Sequence, residues 1–301
     1  MKNKNKKIVI LAGGWTSEAQ ISRGTADFCS SAAQNAGWNV KLIEFNQNVF
    51  DELKKIKPSR VLNALHGKIG EDGSIQGLLN IMQIPYTHSG VLASSIAMDK
   101  IASRYFFNAI GIKMPLLLNF EKTKSLKPKN FNGKYVIKPT NNGSSVGVKI
   151  ITKKSLPPNR NEWPENCTLM AEEFIDGKEL TVGIFDGRAL CVTEIRSSMY
   201  FYNYEAKYSE GKSKHIFPAD IPKHISKLAM TWAEDAFQIL GCRGIARADF
   251  RWDTQKDKLF MLEINTQPGM TKTSLLPEQA RYCGISDEKL INHLLENARC
   301  D

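Results

Sequence analysis

Lys7 to Ala12 is a short β-branched run that ends in Gly13-Gly14, and behind it a polar turn leads into a helical pattern from Ser17 to Ala36 that Gly37 stops. A strand that turns on glycines straight into a helix admits few folds, because the helix must return across the sheet before a parallel strand can follow. Strand-like runs at Asn39 to Phe45 and Arg60 to Leu65, with a helical stretch from Val49 to Ile56 between them, continue the alternation. Residues 1–90 therefore read as a doubly wound α/β unit on a parallel sheet.

From Val91 the pattern changes to mixed α+β. A helix through Lys100 to Ala109 precedes strands at Met114 to Asn119, Tyr135 to Pro139, Val146 to Thr152, Thr168 to Phe174 and Leu180 to Phe185. The last third holds a tyrosine-rich segment, Met199 to Tyr208, a helix from Lys223 to Leu240, and strands Ile245 to Asp253 and Lys258 to Asn265. Three units, 1–90, 91–184 and 185–301, fit this order better than the two that 301 residues suggest.

Composition narrows the function classes. With 42% hydrophobic and 24% charged residues the chain can bury a sizeable core. The run Ile8 to Ala12 is too short for a signal-peptide core or a membrane span, so a cytoplasmic, membrane-free protein is expected. The six cysteines are scattered, with no Cys-x-x-Cys pair, and read as free thiols. Of the net charge of +10, four charges sit on Lys2, Lys4, Lys6 and Lys7 and the rest are spread along the chain. A nucleic-acid partner is not expected from so dispersed a pattern.

Two constellations carry chemistry. KPTNNGSSVG, Lys138 to Gly147, places a lysine at a strand end before a loop of glycines and hydroxyls that suits phosphates, although an ordinary hairpin loop has the same composition. On the last two strands, Arg247 and Asp249 share one face, as do Glu263 and Asn265. Two acids and an amide oxygen are hard ligands for Mg²⁺, with Arg247 beside them to stabilise a charged acyl phosphate; the alternative is a solvated sheet face.

Weaker signals surround these. In TQPGMTKTSL, Gly269 is a candidate oxyanion donor and Ser274 stands at the mouth of the next helix, where carboxylates bind; a plain turn and N-cap explain both as well. Glu172, Glu173, Ile175 and Glu179 suit adenine and ribose hydroxyls, or form an exposed acidic edge. His66 opens HGKIGEDG just past a strand of the first unit, where open sheets hold ligands, though a structural histidine is the plainer reading. Lys207 and Tyr208 end the aromatic run, as a lid or as a packed surface loop.

Taken in order, LHGKIGEDGSIQG, PYTHSGV, MDK at Met98 to Lys100, KPTNNGSSVG, YEAKY, ARADF and EINTQPGMT resemble the signatures of the D-alanine–D-alanine ligase family over essentially the whole chain. The resemblance implies a two-part ATP-grasp fold behind the doubly wound sheet. It also implies an enzyme of peptidoglycan precursor synthesis that is homodimeric and joins two D-alanines, using ATP and two Mg²⁺ ions or Mn²⁺. By the same resemblance Lys100, Lys138 and Lys207 meet ATP phosphates, Glu172, Glu173 and Ile175 hold adenine, and Glu179 holds ribose. Asp249, Glu263 and Asn265 bind the metals, Arg247 and the Gly269 N–H stabilise the reacting centre, and Ser144, Tyr208 and His66 surround the first D-alanine. Ser274 and Leu275 bind the carboxylate of the second.

One position departs from the pattern. In GGWTSEAQIS the family's glutamate for the first substrate's ammonium group falls on Gln20, while Glu18 is expected to face another side of the helix. Ser17-x-x-Gln20 also matches a capping box. Two rival readings follow: a related ligase for a different carboxylate and amine, and a nucleotide-binding homologue impaired by Gln20.

Overall fold

The computed structural model describes residues 6–120, 125–197 and 213–301. In the first unit β1 (Lys7–Gly13) lies between β2 (Asn39–Phe45) and β3 (Arg60–Asn63), parallel to both. Ile8 through Ala12 are fully buried, and their alternation supplies two cores at once. Val9 and Leu11 pack with Val49 and Leu53 of α2 (Val49–Ile56) and Ile75 and Leu79 of α3 (Ser74–Ile81). Ile8, Ile10 and Ala12 face the other way, onto α1 (Ala19–Asn35).

That second core is completed from the far end of the chain. Leu276 and Ala280 of α7 (Leu275–Tyr282) and Leu290, Ile291, Leu294 and Leu295 of α8 (Asp287–Glu296) share it. The Trp38 indole N–H donates to Asn292 Oδ1 at 2.9 Å, and Tyr86 bridges to Arg299. A parallel strand buried on both faces needs two covering layers, and one helix cannot provide both.

α4 (Val91–Met98) and α5 (Lys100–Ala109) lead into a four-stranded antiparallel sheet, ordered β4 (Leu117–Leu118), β7 (Leu169–Glu173), β5 (Tyr135–Pro139), β6 (Lys149–Ile151). A five-stranded antiparallel sheet follows, ordered β10 (Ser213–Ile216), β9 (Arg188–Ser197), β8 (Lys178–Phe185), β11 (Ile245–Asp253), β12 (Lys258–Asn265). β8 thus pairs wholly within this last sheet, although the sequence reading divides the units at residue 184. Its neighbour β9 has no counterpart in that reading. Ala229, Ala233 and Ala236 let α6 (Lys223–Ile239) lie close on one sheet face, against Ala246, Ala248 and Phe250. The opposite face packs on α7 at β8, where the Gly183 N–H donates to Gln279 Oε1, and carries charged residues on β11 and β12.

His88, just after the bridge that pairs Tyr86 with Val61 of β3, is 5% exposed, and its Nδ1 lies 2.8 Å from the Thr87 hydroxyl while Nε2 has no partner among the described residues. Burial, helped by nearby His66 and Arg243, pushes its pKa down to about 3. The folded chain therefore refuses a proton that the unfolded chain accepts below its ordinary value of about 6.5. Stability is unaffected above that pH and falls as pH drops toward 3, by about 1.4 kcal/mol per unit. Denaturant unfolding between pH 7 and pH 5 is expected to lose about 2 kcal/mol through this group. His88→Asn, which tolerates the left-handed backbone at φ 70, should remove that loss.

Candidate functional site

The charged face of the last sheet is set by β11 and β12. On β11, Ala246, Ala248 and Phe250 go to the core while Arg247, Asp249 and Arg251 take the other side. Simple alternation on β12 would put Met261 beside Glu263 and Asn265. A bulge between Asp249 and Phe250 prevents this: Phe250 pairs with Met261, Asp249 with Glu263, and Leu262 is the extra residue. Met261 reaches the core, and Glu263 and Asn265 stand opposite Asp249 and Arg247.

Two carboxylates directly opposed across a ladder repel each other, so the arrangement calls for cations. The Arg247 guanidinium supplies one, donating to both Asp249 oxygens at 2.9 and 2.7 Å; the Thr181 hydroxyl adds a bond to Asp249 Oδ1 at 2.6 Å. Lys100 supplies another. Asp99 caps α5 by accepting from the N–H groups of Ile101 and Ala102, which fixes Lys100 at the first helical position. Its Nζ lies 3.1 Å from Glu263 Oε2 and donates to the Asn142 carbonyl at 2.9 Å.

Lys138, at the end of β5, donates to Glu172 Oε1 at 2.5 Å, and Arg104 donates to Glu172 Oε2 at 3.0 Å. All three are more than nine-tenths buried. Burial pushes the Arg104 guanidinium below its ordinary pKa, with the Glu172 charge pulling back. Behind them Glu179 pairs with Arg251 at 3.3 Å, and Arg251 Nε donates to the Ile175 carbonyl at 3.0 Å.

These residues frame two cavities. A narrow one of about 90 Å³ between the two antiparallel sheets is lined by Lys138, Glu172, Glu173, Ile175, Glu179 and Asp249. A wide cleft of about 700 Å³ is lined by His66, Ser144, Arg247, Asn265, Gly269, Ser274 and Leu275. Lys100 and Glu263 line both, so the cavities meet at that ion pair. Lys207 and Tyr208 lie outside the described residues.

On the side of the first sheet the sequence reading is corrected. Gln20 is exposed, one residue inside α1, and does not line the cleft. Glu18 is 6% exposed, and the Ser144 hydroxyl donates to its carboxylate. The helical argument against Glu18 fails because the helix begins at Ala19: Glu18 is the N-cap, with φ −91° and ψ 2°, and its direction is set by the turn. No side-chain cap bond forms at this helix start, so the Ser17/Gln20 capping box is absent too. Room for the carboxylate comes from Gly67, at φ +70°, where a Cβ would collide with it. Ser144 and Ser145 both hold left-handed backbone, at φ 50° and 59°, in the loop that reaches across to Glu18.

His66 is clamped between the Thr25 hydroxyl, 2.9 Å from Nε2, and Glu71, 3.1 Å from Nδ1. Across the cleft, the Ser274 hydroxyl is 2.7 Å from that of Thr271, and Ser274 caps α7 with extended backbone. Beyond it His215 of β10 meets Glu278 of α7, with Nδ1 2.6 Å from Oε2, and both line the cleft. Sequence reasoning passed over Glu71, Arg104, His215 and Glu278. Glu71 lies inside a quoted motif, whereas His215 and Glu278 are 63 positions apart and carry no local signal.

Comparison with known proteins bears on these cavities. Residues 119–296 match the family model described as the D-ala D-ala ligase C-terminus, and residues 45–89 match the model of its N-terminus. The chain belongs to the D-alanine–D-alanine ligase family. A family member from Rhodospirillum rubrum is 44% identical over 99% of both chains, and one from Zymomonas mobilis is 44% identical over 97% of this chain and 94% of its own. The crystal structure of the Bacillus anthracis member complexed with ATP superposes with a TM-score of 0.80, at 28% identity, covering 97% of this chain and 96% of that one. The mixed α/β architecture, an ATP-grasp fold behind a parallel sheet, is that of the family.

Proposed function

We propose that this chain joins two D-alanine molecules at the expense of ATP, through an acyl phosphate, in the supply of peptidoglycan precursors. The observation that carries this reading is the meeting of the two cavities at Lys100 and Glu263. A nucleotide in the narrow cavity would direct its phosphates to that junction, where the wide cleft brings an acid within reach. Glu173 and Ile175 would border adenine, with Glu172 fixing Lys138 behind them, and Glu179 would take the ribose hydroxyls. Lys138 and Lys100 would meet the phosphates, and Lys207 is retained for the transferred one.

Asp249, Glu263 and Asn265 would hold Mg²⁺, as two ions, with Mn²⁺ suited to the same oxygens. Their fit rests on the opposed carboxylates, which are hard donors in need of positive charge. Bound metal would neutralise charge on the transferring phosphoryl group. Arg247 would hold the reacting carboxylate, and the Gly269 N–H would face the oxyanion. Ser274 and the N–H of Leu275 would receive the second substrate's carboxylate. His66 would border the first D-alanine. Tyr208 is retained as its partner on the substrate side.

For the first substrate's ammonium group the assignment moves to Glu18. Glu18→Gln keeps the shape and removes the charge, and charged hydrogen bonds exceed neutral ones by about 1–2 kcal/mol. The Michaelis constant for the tighter D-alanine should rise about tenfold, while Gln20→Glu should change it less than twofold. The reverse ranking would return the role to Gln20. With Glu18 in this place, the impaired homologue loses the observation that motivated it.

The reading as a whole is tested by following ADP and phosphate with ATP, Mg²⁺ and a panel of amino acids. Release that depends on D-alanine is expected; release that favours another amine would give the site to the rival ligase. A cytoplasmic homodimer without nucleic-acid or membrane partners accompanies the proposal, and among the described residues no helix is long and apolar enough to cross a membrane.

A further inference from the structure

We propose that Thr181 is a positioning residue for Asp249: its hydroxyl holds one carboxylate oxygen in place and leaves the charge of the carboxylate for Mg²⁺. This deepens the metal reading above and rests on it. Thr181 is fully buried and lies directly opposite Asp249 in the ladder of β8 and β11, and its hydroxyl donates to Asp249 Oδ1 at 2.6 Å. The same hydroxyl is 3.3 Å from the Ala248 carbonyl, but it has a single proton to give. An O–H···O⁻ bond of about 2.5–2.7 Å is the charge-assisted kind, so the proton goes to the carboxylate.

The kind of donor decides what it can do. Arg247 also bonds Asp249, at both oxygens, but a guanidinium brings a full positive charge and competes with a metal cation for the same carboxylate. A hydroxyl is neutral, so it fixes the direction of the carboxylate without cancelling its charge. Arg247 is assigned to the reacting acid. When its guanidinium turns to that group, Thr181 is the donor that stays on Asp249 among the described residues. Oδ1 remains held, and Oδ2, which Arg247 gives up, is open to a metal.

Thr181 is itself fixed from behind. It is β-branched on the middle strand of the five, and its carbonyl accepts from Gln279 Nε2 at 3.3 Å. Gln279, fully buried on α7, also donates to the Thr193 hydroxyl at 2.8 Å and accepts from the Gly183 N–H, at a position where a Cβ would come within 2.6 Å of its Oε1. Thr193, Thr181, Asp249 and Glu263 stand in register, one opposite the next, across β9, β8, β11 and β12. The row therefore runs from α7, which Ser274 caps, to the Lys100–Glu263 pair where the cavities meet.

Thr181→Val removes the hydroxyl and keeps the branched shape, whereas Thr181→Ser keeps the hydroxyl. Binding of ADP is measured by calorimetry in EDTA and again across a Mg²⁺ titration, beside the Mg²⁺ dependence of ligation. Loss of a bond behind a metal ligand should raise the half-saturating Mg²⁺ about tenfold in Thr181→Val, while ADP affinity in EDTA stays within about twofold. Turnover at saturating Mg²⁺ should fall by a smaller factor. Thr181→Ser should bring the Mg²⁺ requirement back to within about threefold of that of the unmodified protein. An unchanged Mg²⁺ requirement in Thr181→Val, or an equal loss of ADP affinity with and without Mg²⁺, would overturn the assignment and leave the hydroxyl a bond of the fold alone. Asp249→Asn, measured alongside, tells the two readings apart: if it too leaves the Mg²⁺ requirement unchanged, the metal reading itself fails.

Discussion

Asp249→Asn is expected to lower ligation by about 100- to 1,000-fold, the loss typical when a preorganised charge is removed from a transition state. The folded state should hardly notice. Asp249 sits directly opposite Glu263, and removing one of two facing carboxylates relieves a repulsion of roughly 0.2–1 kcal/mol. That relief offsets the weakened bonds from Arg247 and Thr181. Melting temperature should move by less than about 4 °C. Turnover measured together with thermal unfolding separates the readings: near-normal activity would reduce the pair to surface decoration, and a large drop in melting temperature would make it structural.

Glu172→Ala is expected to do the opposite and damage stability most. The carboxylate is 3% exposed between Arg104 and Lys138, each 7% exposed, so its loss strands two buried cations. Breaking a buried ion pair by removing one partner costs about 3–5 kcal/mol, which lowers the melting temperature by roughly 10 °C. Glu172→Gln keeps one acceptor and should lose about half as much. Unfolding in urea with and without ATP checks this. The same cations face the cavity assigned to the nucleotide, so ATP should raise the melting temperature of the unmodified protein more than that of Glu172→Ala. Equal stabilisation would detach Lys138 from the nucleotide.

Much of this site was legible before any coordinates. Element bounds such as Val49–Ile56, Tyr135–Pro139 and Ile245–Asp253 follow from local periodicity and breakers, and they came out as read. The pairings Arg247 with Asp249 and Glu263 with Asn265 were legible because residues two apart on a strand share a face. Strands without such patterning, β9 and β10, were passed over. Glu18 was misjudged for a physical reason of the same kind: the helical period was applied to a residue that lies in the turn before the helix, where no period holds.

By itself, then, the sequence determined most of the order of strands and helices, though not β9 and β10, the doubly wound character of the first unit, and which charged side chains share a strand face. These are short-range matters of period, turn and propensity. Only the tertiary structure decided the rest. The bulge at Leu262 turns Met261 to the core and Glu263 to the site, and α7 and α8 return to close the first sheet's core. The same long-range closures bring Glu18 to Ser144, Glu172 to Arg104 and His215 to Glu278. Each of these contacts joins residues dozens of positions apart. No local rule relates them, because they form only when whole layers bury their apolar faces against one another.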